Sequence, residues 1–148
     1  MPEIRPAARV YNNAALTIAN ITTTALTFNS ERIDTHAIHS TSSNTSRLTA
    51  PTEDIYIITG HIQWQSNATG TRTLYIRLNG TTYISILFFA NLTANSQSMT
   101  VSAVHYLAAG DYVELVVYQD SGANRDVLSG ANYTPEFAMV GVSAWSGG

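Results

Sequence analysis

Residues 54–64 alternate strictly. Tyr56, Ile58, Gly60, Ile62 and Trp64 fall on one side, and Ile55, Ile57, Thr59 and His61 on the other. A period of two belongs to a β-strand, whose successive side chains point to opposite faces. The second side is itself largely apolar, so the strand lies at the centre of a sandwich or in an interface. The same period returns at Leu74, Ile76 and Leu78, and over residues 83–89. Met99, Val101, Ala103, His105 and Leu107 alternate with Thr100, Ser102, Val104 and Tyr106. Val113, Leu115 and Val117 alternate with Tyr112, Glu114, Val116 and Tyr118, and a last strand spans residues 137–143. Asn79-Gly80 is a two-residue hairpin signal. Residues 66–70, 91–96 and 120–135 carry the Gly, Asn, Asp, Ser and Pro of connecting loops. No stretch shows a helical stripe. The pattern predicts an all-β chain, a sandwich, jelly roll or barrel.

A chain of 148 residues makes one domain. Only 11% of residues are charged and 45% are apolar, the reverse of the balance that keeps a chain disordered. All seven cations are arginine, scattered along the chain, against ten acids. Nucleic-acid binding needs a clustered basic surface, so that class is excluded. There is no cysteine, hence no disulfide, thiolate nucleophile or cysteine zinc site. No apolar run reaches the 18 or so residues of a membrane helix. Residues 1–6 lack the apolar stretch of a secretory leader, so none is expected. Residues 1–8, with two prolines, read as an arm, 9–143 as the domain and 144–148 as a flexible tail. Six Asn-X-Ser/Thr triplets, from Asn20 to Asn132, read as chance in a chain this rich in those residues.

Candidate chemistry is sparse. Asp34, His36 and His39 invite a zinc or triad reading. On a strand, however, positions three apart face opposite ways, and no serine sits between nucleophile-elbow glycines. Catalytic and metal sites are therefore read as none, and no cofactor motif is present. Asp120, Asn124 and Asp126 share one loop and offer oxygen ligands of the kind calcium takes, without the EF-hand spacing. Tyr112 and Tyr118 with Glu114 form a polar-aromatic face suited to a sugar, a neighbouring protein, or sheet stability alone.

Four blocks in register resemble the complement C1q/tumour-necrosis-factor-like jelly roll. Leu48-Thr49-Ala50-Pro51 with Asp54-Ile55-Tyr56-Ile57-Ile58 looks like its strand-opening signature. Phe28-Asn29-Ser30-Glu31 with Asp34-Thr35-His36 is similar to the lead-in of its bacterial and phage branch. Leu107-Ala108-Ala109-Gly110-Asp111-Tyr112-Val113-Glu114-Leu115 resembles its Gly-Asp strand, and Tyr133-Thr134-Pro135-Glu136-Phe137-Ala138-Met139 its final strand. The resemblance implies a ten-strand, two-sheet jelly roll that forms a homotrimer and binds or assembles without catalysis.

It also implies that strands near 54–64, 98–107 and 136–143 share a sheet whose outer face meets the three-fold axis. The residues facing that axis would be Ile55, Ile57, Thr59, His61, Thr100, Ser102, Val104, Tyr106, Ala138 and Val140. None is charged, which suits a buried interface. Three copies of His61 would converge there and repel one another when protonated. No collagen-like Gly-X-Y stalk is present. The expectation is a virion-surface protein, a phage head decoration or fibre tip, that bridges capsid or other virion proteins through its base and the 1–10 arm. Its loops would be free for cell-surface glycans. The alternative is a secreted or cell-surface bacterial module that binds carbohydrate or protein.

Overall fold

The computed structural model describes residues 4–90 and 94–143. Among them twelve strands and no helix occur. They are β1 (Ala7–Tyr11), β2 (Leu16–Ile18), β3 (Thr24–Ala25), β4 (Ser30–Asp34), β5 (Arg47–Thr49), β6 (Asp54–Trp64), β7 (Arg72–Leu78), β8 (Thr82–Phe89), β9 (Gln97–Leu107), β10 (Tyr112–Gln119), β11 (Arg125–Val127) and β12 (Glu136–Gly141). The count exceeds the expected ten. Four strands, β2, β3, β5 and β11, are only two or three residues long, too short for alternation to show in sequence.

The strands form two antiparallel sheets. One is seven-stranded, in the order β2-β11-β6-β12-β1-β4, with β9 along the other side of β6; the second is five-stranded, β3-β10-β7-β8, with β5 also on β10. The long β6–β9 ladder runs from Asp54↔Leu107 to Trp64↔Gln97 without a slip. Register is fixed because shifting either strand by one residue would turn its core set to the outside. Each sheet sends one side chain in two into a common interior. From the first come Tyr56, Ile58, Ile62, Trp64, Phe137 and Met139; from the second come Leu74, Ile76, Val113, Leu115 and Val117. Full burial of each such side chain contributes about 1.5–3 kcal/mol.

β1 begins at Ala7, inside the segment read as an arm. Ala8 and Val10 are buried, and residues 7–11 pair with β12 from Val140 to Glu136. Pro6 accepts a hydrogen bond from the Gly141 backbone N–H at 2.9 Å. Residues 1–3, and the 144–148 tail, lie outside the described residues.

The turns follow their local chemistry. Asn79 and Gly80 both have positive φ, 50° and 75°, as a type I′ hairpin requires between β7 and β8. Asp111 closes the β9–β10 turn. Its carboxylate accepts from the Asn79 side-chain amide at 3.0 Å and from the Ala108 N–H at 2.9 Å. These two bonds, that of Asn79 above all, hold the Asp111 carboxyl below its ordinary pKa. At the opposite end Arg72 is wholly buried. It donates to the carbonyls of Thr69 and Thr71 and to Asn67 Oδ1, with its guanidinium 5.6 Å from the Trp64 ring centre. Burial pulls the Arg72 pKa down.

Candidate functional site

The ten residues expected at a three-fold axis share one surface, the outer face of the seven-stranded sheet. The ladders set them in rows. Tyr106 stands opposite Ile55, Val104 opposite Ile57, Ser102 opposite Thr59 and Thr100 opposite His61. On the other side of β6, Val140 pairs with Ile57 and Ala138 with Thr59. Beyond β12, Ala7 and Arg9 extend two of these rows, and Ile33 of β4 lies opposite Arg9. Ile33, Ile55, Ile57, Val104 and Tyr106 are all exposed, Val104 by 70%. A shallow depression of about 290 Å³ opens among Ala7, Ile33, Ile57, Ala138 and Val140. The Tyr106 hydroxyl donates to Glu53 at 3.1 Å, which raises the phenol pKa.

The face is not uncharged throughout. Glu136 precedes Ala138 by two residues and so emerges on the same side, opposite His61. Arg9 reaches it with Nε and Nη2, 2.9 and 3.2 Å from the two carboxylate oxygens, and Arg32 with Nε at 2.7 Å. His61 Nε2 lies 3.4 Å from Oε2. Burial alone would raise the Glu136 pKa, but the hydrogen bonds from Arg32, Arg9 and Thr134 outweigh it and hold it below the ordinary value. The Arg32 guanidinium also stacks 4.1 Å over the Tyr11 ring. The face therefore grades from apolar at Ile55 and Tyr106 to charged at His61 and Glu136.

A second exposed apolar group lies on β8, an edge strand of the other sheet. Tyr83, Ile86 and Phe88 stand in solvent, Ile86 by 60% and Phe88 by 56%. Tyr83 stacks on Tyr75 of β7 with ring centres 4.3 Å apart. This group was not legible in the sequence, because residues 84–89, Ser85 apart, are apolar on both sides, as in a buried strand.

The remaining candidates have local duties. Asp34, His36 and His39 do not lie on one strand. β4 ends at Asp34, and the chain turns through Ala37 at φ 53°. The Asp34 carboxylate accepts from the backbone N–H groups of Ile38 and His39. His39 is buried between Glu31, 3.0 Å from Nδ1, and the Thr45 carbonyl, 2.9 Å from Nε2. Asp120 accepts from Thr71, the residue before β7, whereas Asp126 on β11 accepts from Thr17 of β2 at 2.8 Å, and Asn124 is exposed between them. Each carboxylate is thus held by a different segment of the chain. Among the described residues no group of three or more His, Cys, Asp and Glu side chains is placed to hold a metal ion. Tyr112 lies under the Arg47 guanidinium at 4.0 Å. Glu114 is buried, with Arg77 and Ser46 donating to it at 3.1 and 2.6 Å.

The two-sheet arrangement superposes on solved structures over nearly its whole length. Eiger TNF from S. frugiperda matches with a TM-score of 0.69 at 14% identity, covering 99% of this chain and 96% of that one. Murine APRIL gives 0.70 at 10% identity, covering 94% and 100%. The globular domain of zebrafish complement 1qA gives 0.60 at 20% identity, covering 95% and 99%. The fold is the C1q/TNF-like jelly roll. No protein-family profile matches the chain. In sequence this jelly roll is similar to the uncharacterized protein L688 of Acanthamoeba polyphaga mimivirus, 34% identical over 82 residues. The match covers 52% of this chain and 35% of L688, so it concerns about a third of that protein's length.

Proposed function

We propose that this jelly roll is a non-enzymatic assembly module, a homotrimer that forms part of a virion surface as a head-decoration protein or fibre tip. One observation carries the reading: the contiguous rows of exposed, uncharged side chains across β9, β6 and β12. A soluble monomer rarely leaves so many large apolar side chains together in water, and small or aromatic uncharged residues suit the core of a subunit contact.

A closed ring of three needs two different surfaces on each copy, because each neighbour is met by a different side. The rows of β9, β6 and β12, Val104 and the depression among Ile33, Ile57 and Val140 included, are the first surface. Tyr83, Ile86 and Phe88 on β8, an exposed group of similar apolar character, form the second. The likeness to a mimivirus protein supports the virion setting.

The test is the particle itself. Antibody against the purified protein should label intact virions, and the protein should rebind particles stripped of it in multiples of three copies. Labelling confined to cell surfaces, with no particle binding, overturns the virion setting and leaves a cell-surface binding module.

A further inference from the structure

At the charged end of the sheet face two guanidinium groups share one carboxylate. Arg9 and Arg32 both bind Glu136, so neither guanidinium has a carboxylate to itself. Glu31 bonds to His39 and Asp34 to backbone N–H groups, so neither is an ion-pair partner of Arg32. With Nε on Glu136 and its plane laid on Tyr11, Arg32 is fixed in orientation. Its two terminal nitrogens have no hydrogen-bond partner among the described residues, and its side chain is 43% exposed.

Arg32 borders a cleft of about 150 Å³ lined also by His61, Asn132, Tyr133 and Glu136, whose carboxylate is the one that Arg9 and Arg32 hold. A second cleft of about 220 Å³ shares His61, Asn132 and Tyr133 and continues to Gln63 and Thr100. The Tyr133 wall is held in place. Gly130 and Tyr133 form a β-bridge, and a Cβ at 130 would come within 2.9 Å of the Tyr133 ring, so only glycine admits the ring there.

We propose that this double cleft binds a carboxylate-bearing sugar. The Arg32 fork matches a carboxylate. The Asn132 and Gln63 amides and the Thr100 hydroxyl suit ring hydroxyls, and the exposed Tyr133 ring offers an apolar wall for a sugar face. Six residue steps along β6 separate His61 from Ile55, about 20 Å, so the cleft, which takes His61 and Thr100 from the proposed contact face, lies toward the rim of that face. The inference does not depend on the trimer.

The test is calorimetric titration of the full-length protein with glucuronate, glucose and acetate at fixed ionic strength, with the mass of each sample checked by light scattering. Glucuronate should bind at least about tenfold more tightly than either glucose or acetate. Arg32→Gln should remove that preference. Asn132→Ala, at an exposed position that should not disturb folding, should weaken glucuronate binding about threefold or more with the mass unchanged. Acetate binding as well as glucuronate, no glucuronate binding at all, or Asn132→Ala and Arg32→Gln both binding like the parent would each overturn the proposal, whatever the mass shows.

Discussion

His61 Nε2 lies 3.4 Å from Glu136 Oε2, on a carboxylate that Arg9 and Arg32 already grip. The folded state holds the Glu136 pKa below its ordinary 4.5. Its contribution to stability is therefore complete above about 4.5 and is lost as the pH falls through the lower folded value. Urea midpoints between pH 7 and pH 2 should drop at the acid end, and Glu136→Gln should flatten part of that drop while lowering stability at pH 7. A Glu136→Gln protein with the parent's full acid sensitivity would show that other carboxylates carry it.

Gly60 permits the two sheets to meet. A Cβ at that position would stand 2.5 Å from Leu115 Cδ1 in the opposite sheet. Gly60→Ala should cost about 1–3 kcal/mol by overpacking, and Leu115→Val in the same chain should restore part of the loss. Equal stability of Gly60→Ala and the parent would contradict the close approach.

Ile21 has φ 52° and is 67% exposed. A β-branched residue in the left-handed region is strained by about 1–2 kcal/mol, and Asn adopts that region more easily. Ile21→Asn should raise the thermal midpoint, and a lowered midpoint would mean that the isoleucine packs usefully in its loop.

A ring built from two unlike surfaces has a mixing signature. Ile57→Glu damages the depression and Phe88→Glu the β8 group, so each variant alone should be monomeric. Mixed together, one copy's intact depression meets the other's intact β8 group, and dimers should form without trimers. If Phe88→Glu remains a trimer, β8 is not the second surface.

The long strands were legible in the sequence because β6, β9 and β10 keep one face in the core over eight to eleven residues. The outward rows could also be read, since one alternation assigns both faces: Val104 and Ile57 followed from parity alone. The short strands were not legible. β2 and β11 pair with each other through only three residues each, so their existence is a tertiary outcome. The Glu136 cluster lay half in view. Parity places Glu136 beside Ala138, but Arg9 is brought to it across 127 residues of chain by the β1–β12 register. The β8 group was hidden because edge position, which leaves Ile86 and Phe88 in water, is decided by topology and not by the strand's own residues.

The most direct measurement is the light-scattering mass of the purified protein with and without Val104→Glu. Val104 is the most exposed large apolar side chain on the face, at 70%, so a charge there should leave the monomer folded and break the assembly. The parent should give about 48 kDa, three times the 16.0 kDa chain, and the variant about 16 kDa, with matching β-sheet circular dichroism. A parent that stays monomeric at tens of micromolar, or a Val104→Glu variant that remains a trimer, would contradict that expectation.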